Sequence, residues 1–385
     1  MKHVRTSILI PGMVVATDVI HEGQLILPRG LTLTDRAIYR LSTYDIKDIR
    51  IEDPVGYEVE EIEDEEHAHA PSVSEALTGI NLEDTAPPEE FNEPSHFEKL
   101  KNSTQYKEFR SHFTENVEEL KASLNDIVEK NTPVNVDNLI GDTLKIIDSQ
   151  SNTFSVFDML HNMRDFDDLT YTHSMNVAMI CNVFAQWLGM SADEVKLATS
   201  CGMLHDIGKL QIDDAIIKKP GKLTDAEFKT IQSHPVLGYR ILQRQNISEH
   251  IKLSALEHHE KCDGSGYPMK LTRDKIDGFA KIVAIADVYD AMTANRVYRE
   301  GLCPFRVIEI FEEEGLQKYE IPYIMKFLEN VVNTYIDNRV LLSDGRMGTV
   351  RWINKQRLSK PMLEMSDGSF LELDKTPGLS INKIL

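Results

Sequence analysis

Two side chains suited to metal binding stand side by side at His205 and Asp206, and Lys209 follows three residues after the aspartate. Imidazole nitrogens and carboxylate oxygens bind borderline first-row metal ions, and an ammonium group stabilises negative charge that develops on a bound substrate. The stretch HDIGK, residues 205–209, ends the predicted helix VKLATSCGML, whose apolar residues recur at helical spacing. This spacing turns the histidine and the aspartate toward the protein core.

Further histidines and a second aspartate fall on inward faces of other predicted helices. His173 lies one turn before Val177 on the apolar face of YTHSMNVAMICNVFAQWL, and Asp287 follows Val283 by four residues. An ionised group turned toward a core must be paired or bound to a metal, because burying it alone is prohibitive. A single histidine there is more often a hydrogen-bonded core residue, but several imidazoles and two carboxylates together predict a metal site. The histidines concerned are His173, His205, His234, His258 and His259.

The predicted ligand atoms are nitrogen and oxygen rather than sulfur. Four cysteines, Cys181, Cys201, Cys262 and Cys303, are scattered without a CxxC pair, so neither a zinc knuckle nor a redox motif is indicated. A mixed nitrogen and oxygen set favours octahedral iron or manganese over a structural zinc. Helical bundles host two-metal sites built from facing helices. We therefore expect Fe or Mn at a site between facing helices.

A second dense stretch, HHEKCDGSGYP, spans residues 258–268. Its glycines resemble part of a dinucleotide-binding loop, but Met269 stands where the third glycine belongs and no predicted strand precedes it. No GxxxxGK occurs, which excludes a P-loop. The stretch therefore predicts a tight turn that holds a loop beside the metal centre.

These segments resemble the HD-GYP family, a branch of the HD-domain metal-dependent phosphohydrolases. The resemblance runs from about residue 154 to residue 337 and rests on THSMNVA, HDIGK, SHPVLGYRIL, HHEKCDGSGYP and IADVYDAMTANRVYR, in the family's order and at family-like spacing. It implies a helical domain that holds two or three metal ions. It also implies hydrolysis of cyclic di-GMP, a bacterial second messenger, to pGpG or onward to GMP.

The resemblance implies individual roles as well. Asp206 would bridge metal ions and Lys209 would contact the scissile phosphate, which makes them the expected catalytic residues. The implied metal ligands are His173, His205, Asp206, His234, His258, His259 and Asp287, and the implied substrate-binding residues are Lys209, Arg296, Arg299, Gly266, Tyr267 and Pro268. Some family members add a glutamate shortly before the first histidine; here Asp167 and Asp168 occupy that region, and Asp168 is the candidate ligand for a third ion.

This chemistry suits a phosphodiester, an anion that repels hydroxide. Two metal ions roughly 3.5–4 Å apart neutralise the phosphoryl oxygens and activate a shared water. Lys209 lies one helical turn from His205, so its ammonium can reach the same space.

Several residues also have ordinary structural explanations. Lys209 could be an exposed cation near a helix C-terminus, and Arg296 and Arg299 could lie on a surface. Glycines 264 and 266 suit a turn whatever the function. Asp290, one turn after Asp287, is either a partner of the site or solvated.

Three functions stay open at this point. The first is a phosphodiesterase for cyclic di-GMP, the second is a receptor that binds the cyclic dinucleotide without hydrolysing it, and the third is a phosphodiesterase for another cyclic dinucleotide such as cyclic GMP-AMP. The complete ligand set favours an enzyme.

The sequence patterns of the elements that carry these residues predict a mainly α protein. It has an HD-type helical bundle with a small N-terminal α+β domain, in which Thr34 or Asp35 caps a helix, and a short C-terminal β extension with two Asp-Gly turns. The expected segments are an accessory domain at 1–53, a linker at 54–95, connecting helices at 96–153, the catalytic domain at 154–337 and the extension at 338–385.

The net charge of −20 is mostly local. Residues 51–98 contain sixteen Asp or Glu and no Lys or Arg, so they carry −16 of it and predict a solvated, disordered linker. No basic stripe supports binding to duplex nucleic acid. The sequence contains neither a signal-peptide pattern nor an apolar run long enough for a membrane span, which predicts a cytoplasmic protein. A protein partner is expected at the N-terminal domain or at the surface of the helical domain.

Overall fold

The computed structural model of the 385-residue chain describes residues 2–5, 13–21, 24–34, 37, 41, 46, 48–52, 96–150, 153–163, 169–219, 221–294 and 301–385. The chain divides into two compact units, Met1–Glu90 and Phe91–Leu385. The predicted linker at 54–95 lies outside the described residues, as do Asp168, Arg296 and Arg299.

The first unit contains two antiparallel strand pairs. Strand β1 (Lys2–Arg5) pairs with β4 (Asp48–Ile51), and β2 (Val19–His21) pairs with β3 (Gln24–Leu27). The Thr34 hydroxyl accepts a hydrogen bond from the Ala37 backbone N–H at 3.3 Å, the contact expected of an N-cap. A small apolar core contains Val15, Ile26, Leu33, Leu41 and Ile51.

Helices make up most of the second unit. Their bounds are α1 His96–Asn102, α2 Thr104–Lys130, α3 Val136–Asp148, α4 Thr153–Asn162, α5 Leu169–Trp187, α6 Ala192–Leu204, α7 Asp214–Ile217, α8 Asp225–Ile231, α9 His234–Gln243, α10 Glu249–Glu257, α11 Gly278–Thr293, α12 Pro304–Ile310, α13 Leu316–Lys318 and α14 Ile321–Asn333. Short 3-10 turns cover Ile207–Gln211 and Arg273–Lys275, and a π-helical turn covers Phe311–Gly315. The mainly α architecture predicted from the sequence is confirmed.

Local capping explains several helix starts. Ser191 with Glu194 and Thr224 with Glu227 form capping boxes at α6 and α8. The charged segment from residue 96 to residue 130 forms two helices, α1 and α2, and Ser103 caps α2 by accepting a hydrogen bond from the Tyr106 N–H at 3.1 Å.

Helix α5 is the centre of the bundle. Every side chain from residue 174 to residue 185 is buried, so the helix has no solvated face on this stretch. A Cβ on Gly202 of α6 would lie 2.9 Å from the Ala178 Cα and 2.9 Å from the Val177 carbonyl oxygen. Glycine therefore allows the two helix backbones to approach directly, and helix α11 is buried against both helices.

Hydrogen bonds attach the connecting helices to this bundle. The Gln245 side-chain Oε1 accepts from the Val134 backbone N–H at 3.0 Å, and the Tyr171 hydroxyl donates to Asn125 Oδ1 at 3.2 Å. Tyr171 lies two residues before His173, so helix α2 supports the start of α5.

The chain ends in a five-stranded antiparallel sheet of order β8-β7-β6-β5-β9. The strands are β5 Arg339–Leu342, β6 Met347–Trp352, β7 Met362–Met365, β8 Phe370–Glu372 and β9 Ile381–Ile384. Gly345 and Gly368 have φ of 85° and 79°, as the two predicted Asp-Gly turns require. The predicted C-terminal hairpins are confirmed.

Glu312 fixes this sheet to the helical bundle. Its carboxylate accepts from the Leu358 N–H at 2.6 Å and from the Ser359 N–H and hydroxyl at 3.2 and 2.5 Å. The connecting helices, the bundle and the extension lie in one compact unit, and the boundaries drawn between them from the sequence stay predictions. Within the described part of the chain, no helix combines the length and apolar character that crossing a membrane requires.

Candidate metal centre

Residues far apart in the chain meet at one buried cluster. Helix α5 carries His173, His205 and Asp206 directly follow α6, α9 begins at His234, His258 and His259 directly follow α10, and α11 carries Asp287. The structure therefore brings together all seven expected metal ligands.

Asp206 lies between two groups of histidines. Its Oδ1 atom is 3.2 Å from His234 Nε2 and 3.8 Å from His258 Nε2. Its Oδ2 atom is 3.4 Å from His205 Nε2 and 3.6 Å from His173 Nε2. Each carboxylate oxygen thus faces a different pair of imidazoles.

Asp287 faces the cluster from helix α11. Its Oδ1 atom is 3.0 Å from His173 Nε2 and 3.9 Å from His205 Nε2, and its Oδ2 atom is 3.9 Å from His259 Nδ1. Its carboxylate also reaches histidines from two separate helix ends.

Three of the histidines have their rings oriented by backbone carbonyl groups. In each case Nδ1 donates to a carbonyl oxygen three or four residues earlier, and the pairs are His205 with Gly202 at 2.7 Å, His234 with Ile231 at 2.7 Å and His258 with Ser254 at 3.0 Å. Because a carbonyl only accepts, Nδ1 carries the proton and Nε2 keeps its lone pair. All three lone pairs face Asp206, the orientation that metal-binding histidines adopt.

Unsatisfied atoms at this place indicate that a cation fits. His234 Nε2 and His258 Nε2 are 3.1 Å apart, so two lone pairs face each other. His205 Nε2 and Asp206 Oδ1 are buried without a hydrogen-bond partner among the described residues. Buried polar atoms normally have partners, and a divalent ion would satisfy all four.

The ligand atoms form three overlapping sets, each within 4.8 Å: His234 with His258 and His259, His173 with His205 and Asp287, and His205 with Asp206 and His258. Donors of this kind suit divalent ions. The cluster is therefore compatible with divalent metal binding.

The carboxylates in the cluster are ionised at neutral pH. Burial by itself would raise the pKa of Asp206, but the Lys209 ammonium outweighs burial and holds that pKa well below its usual range. Burial acts the same way on Asp287, and its hydrogen bond to His173 outweighs burial, so its pKa is also well below the usual range.

His258 and His259 differ from His173 in protonation. Burial, together with the neighbouring imidazoles, lowers the pKa of His258 and of His259 well below the usual value, so both rings are neutral and ready to bind a metal. Burial would also lower the pKa of His173, but its hydrogen bonds to Asp287 and Asp290 prevail and raise this pKa to about 9.

The glycine of HDIGK allows the cluster to close. A Cβ on Gly208 would lie 2.0 Å from the His234 carbonyl oxygen and 2.5 Å from the Gly238 nitrogen. No side chain fits there, so the residue after Ile207 must be glycine if the HD segment is to contact the first turn of α9.

Lys209 connects the cluster with a neighbouring cavity. Its ammonium hydrogen-bonds to Asp206 Oδ2, and its side chain lines a cavity together with His173 and Asp290. Only 23% of the side chain is exposed, so Lys209 is not the exposed helix-end cation that was the alternative.

The loop that contains Gly266, Tyr267 and Pro268, here called the GYP loop, packs on His259. The Tyr267 ring stacks on the His259 ring with centroids 4.7 Å apart, and the Tyr267 N–H donates to the His259 carbonyl oxygen at 3.3 Å. A Cβ on Gly266 would lie 2.4 Å from the Lys261 nitrogen, so the loop closes tightly before Pro268. The predicted tight turn is present next to His259, one of the expected metal ligands.

Asp290, for which the sequence left open a partner of the site or a solvated residue, is buried beside the site, and two further buried polar residues, Asn176 and Glu260, escaped the sequence-based site. Asp290 Oδ2 is 2.7 Å from His173 Nδ1, and Asn176 Nδ2 donates to Asp290 Oδ1 at 3.0 Å. Glu260 accepts from the backbone N–H groups of Met269 and Leu271 at 2.6 and 2.8 Å, which fixes the GYP loop. Helical spacing was the sequence signal that could have indicated two of these residues. Asn176 follows His173 by three residues and Asp290 follows Asp287 by three, so each pair lies on one helix face.

Comparison with known proteins shows what this segment is similar to. Residues 138–321, slightly less than half of the chain, match the family described as HD domain. The resemblance predicted from the sequence is thereby confirmed, and relatives of this segment include proteins named cyclic di-GMP phosphodiesterases.

Two named relatives and one solved structure show in more detail what the chain is similar to. The cyclic di-GMP phosphodiesterase PA4108 of Pseudomonas aeruginosa is 34% identical over 208 residues, which cover 54% of this chain and 50% of that protein. The 3'3'-cGAMP-specific phosphodiesterase 2 of Vibrio cholerae is 37% identical over 179 residues, covering 46% and 34%. The chain therefore spans half or less of these relatives. A solved structure of Bd1817, an HDG"Y"P protein from Bdellovibrio bacteriovorus, has a TM-score of 0.47 at 15% identity, over 86% of this chain and 99% of that one.

Proposed function

We propose that this chain is a metal-dependent phosphodiesterase that hydrolyses cyclic di-GMP to pGpG. The observation that carries the proposal is the position of Asp206, whose two oxygens face separate histidine groups at 3.2–3.8 Å. A carboxylate shared in this way suits two divalent ions, the arrangement used for displacement at phosphorus.

The ligands divide into two groups that share Asp206. The first would hold one ion with His173, His205, Asp206 and Asp287, and the second would hold another with Asp206, His234, His258 and His259. Nitrogen and oxygen donors favour Fe or Mn. Bound ions would supply Lewis acidity toward both the phosphate and the attacking water. A third ion would need a further acidic ligand, for which Asp168 is the candidate.

Lys209 supplies positive charge between the metal ligands and the cavity. A phosphodiester that enters the cavity would meet this ammonium, and the loss of solvent around a mostly buried lysine strengthens the interaction. The charge that grows on the phosphoryl oxygens during hydrolysis would be stabilised there without rearrangement.

The cavity walls suit a nucleotide. Phe157, Tyr289 and Tyr335 line it beside Asn176 and Asp290, so aromatic rings and polar groups converge on one space, and purine bases stack on aromatic side chains. Gly266, Tyr267 and Pro268, in the loop that packs on His259, are not among the residues that line this cavity and stay proposed substrate contacts. Arg296 and Arg299 stay proposed contacts for phosphate or guanine.

A second candidate substrate is cyclic GMP-AMP, because the Vibrio cholerae relative that is 37% identical is named for that substrate. The chemistry at phosphorus would be the same, and only contacts with one base would differ. A receptor that binds without hydrolysis is less favoured, because a full ligand set with oriented histidines is unnecessary for binding alone. A protein partner would bind at the N-terminal unit or on the surface of the HD domain.

The test combines metal analysis with product analysis. Protein purified without oxygen should contain about two equivalents of Fe or Mn, the two-metal arrangement for this chemistry, and should convert cyclic di-GMP to pGpG. Parallel reactions with cyclic GMP-AMP identify the preferred substrate. Tight binding of either dinucleotide without any product, from protein with full metal content, would establish the receptor instead.

A further inference from the structure

His173 is held differently from the three histidines that use backbone carbonyls. Its Nδ1 atom bonds a side chain, Asp290 Oδ2, at 2.7 Å, and its Nε2 atom faces Asp287 Oδ1 at 3.0 Å. A backbone carbonyl is fixed by its helix, but a carboxylate can rotate. The ring of His173 is therefore only as well oriented as the Asp290 carboxylate.

Asn176 fixes that carboxylate. Its Nδ2 atom donates to Asp290 Oδ1 at 3.0 Å while the other oxygen of Asp290 accepts from His173. Both carboxylate oxygens are thus bound, and rotation of Asp290 would break two hydrogen bonds. Asn176 follows His173 by three residues, so both side chains face Asp290 from one side of α5.

The unfavourable burial of the Asn176 side-chain oxygen indicates a specific role for this residue. The residue is 8% exposed, and its Oδ1 atom is buried without a partner among the described residues. Its neighbours Val177, Ala178 and Met179 are fully buried apolar residues. Leaving a buried carbonyl oxygen unpaired is unfavourable, so packing alone would favour an apolar residue at this position.

We propose that Asn176 is a positioning residue that orients His173 through Asp290 and so sets the affinity of one of the two metal positions. The inference rests on the proposed metal centre. It concerns the position next to His173, His205 and Asp287, because His173 Nε2 lies 3.0 Å from Asp287 and 3.6 Å from Asp206. The group of His234, His258 and His259 uses other supports and is unaffected.

Titration of metal-free protein with Mn²⁺ tests this inference without any activity measurement. Wild type should bind two equivalents. Asn176→Ala should bind one equivalent with wild-type affinity and the other 10–100-fold more weakly, the usual effect of losing a group that orients a metal ligand. Retention of two wild-type equivalents by Asn176→Ala would overturn the inference and leave the metal centre intact.

Asn182→Ala is the matched control on the same helix. Asn182 is 2% exposed and donates to Thr199 Oγ1 at 2.9 Å, away from the cluster. This variant should lose thermal stability and keep both metal equivalents. Equal weakening of Mn²⁺ binding in both variants would contradict a specific role, and a wild-type protein that binds no Mn²⁺ would overturn the metal centre together with this inference.

Exchange of the two side chains provides a rescue. Asn176→Asp should bind the affected equivalent more weakly than Asn176→Ala, because two carboxylates would then face each other. Combining Asn176→Asp with Asp290→Asn puts an amide between a carboxylate and His173, with its NH₂ donating to one and its carbonyl accepting from the other. The double variant should recover part of the lost affinity, and failure to exceed Asn176→Asp would contradict the proposed hydrogen-bond chain.

Discussion

Lys209 occupies two environments at once, because its ammonium bonds the Asp206 carboxylate and its side chain lines the cavity beside His173. A lysine that only neutralised Asp206 would matter for folding and metal uptake. A lysine that also contacts the phosphate would matter for rate. The two roles can be separated because metal content and turnover are measured independently.

We expect Lys209→Ala to keep its metal and to lose turnover. Removing one preorganised charge-stabilising group costs about 10²–10³ in rate, and the rate should fall more than binding of the cyclic dinucleotide. Lys209→Arg should rescue little, because a planar guanidinium does not replace a compact ammonium. Lys222→Ala, at an exposed lysine of the same region, is the control. Wild-type turnover in Lys209→Ala with metals bound would show that Lys209 has no role in catalysis.

The raised pKa of His173 predicts a pH dependence of the metal-free protein. The pKa rises from 6.5 to about 9 on folding, so the charged ring stabilises the fold fully below pH 6.5. This stabilisation is lost as the pH rises through about 9. The shift corresponds to on the order of 3 kcal/mol. The difference in unfolding free energy between wild type and His173→Gln should shrink by about that amount from pH 6 to pH 10, and a difference independent of pH would contradict it.

At the scale of the elements, glycines decide how closely the segments that carry ligands approach each other. Gly208 brings the HD segment against the start of α9, and Gly202 brings α6 against α5. Both contacts are between backbones, so a neighbouring side chain cannot move to make room.

Gly208→Ala should therefore displace His234 as well as destabilise the protein. The added Cβ would lie 2.0 Å from the His234 carbonyl oxygen, and overpacking of this kind typically costs 1–3 kcal/mol, about the range expected in urea unfolding. Metal content should fall in parallel. Gly141→Ala in α3, where a Cβ meets nothing within 4 Å, should instead be neutral or stabilising, and full metal content in Gly208→Ala would show that the approach is not required.

The sequence predicted which histidines and aspartates meet at one cluster better than it predicted their arrangement. Spacing along α5 and α11 correctly turned His173 and Asp287 inward, and the Asp-Gly turns correctly marked the C-terminal hairpins. The apolar face predicted for α5 does not distinguish a buried side from an exposed side, because residues 174–185 are buried on every side of the helix. That Asp206 would lie between two histidine groups depends on how four helices cross, which no single-helix pattern contains.

Buried polar residues were the main omission. Asn176 and Glu260 look like ordinary polar residues in the sequence, since burial and hydrogen-bond partners depend on residues far along the chain. Glu260 accepts bonds from residues nine and eleven positions later. Their roles became visible only when the folded loop and helix supplied those partners.

At the scale of the whole molecule, the described strand pairs of the first unit and the helices of the second unit differ in architecture, and the acidic stretch lies between them in the sequence. Residues 58–94, outside the described part of the chain, are predicted from their composition to contribute little packing. Their deletion should leave the melting temperature and the turnover of the second unit nearly unchanged. Differential scanning calorimetry and the product assay check this, and a large loss of stability would mean that the stretch packs against folded parts.

The central claim is that Asp206 holds two metal ions together for phosphodiester hydrolysis. The most direct measurement compares metal content and pGpG formation in wild type, Asp206→Ala and Asp214→Ala, the last being an exposed carboxylate on α7 that pairs with Lys218. We predict that Asp206→Ala stays folded, binds less metal than wild type and forms no pGpG, and that Asp214→Ala behaves as wild type. Full metal content with wild-type turnover in Asp206→Ala would contradict the claim.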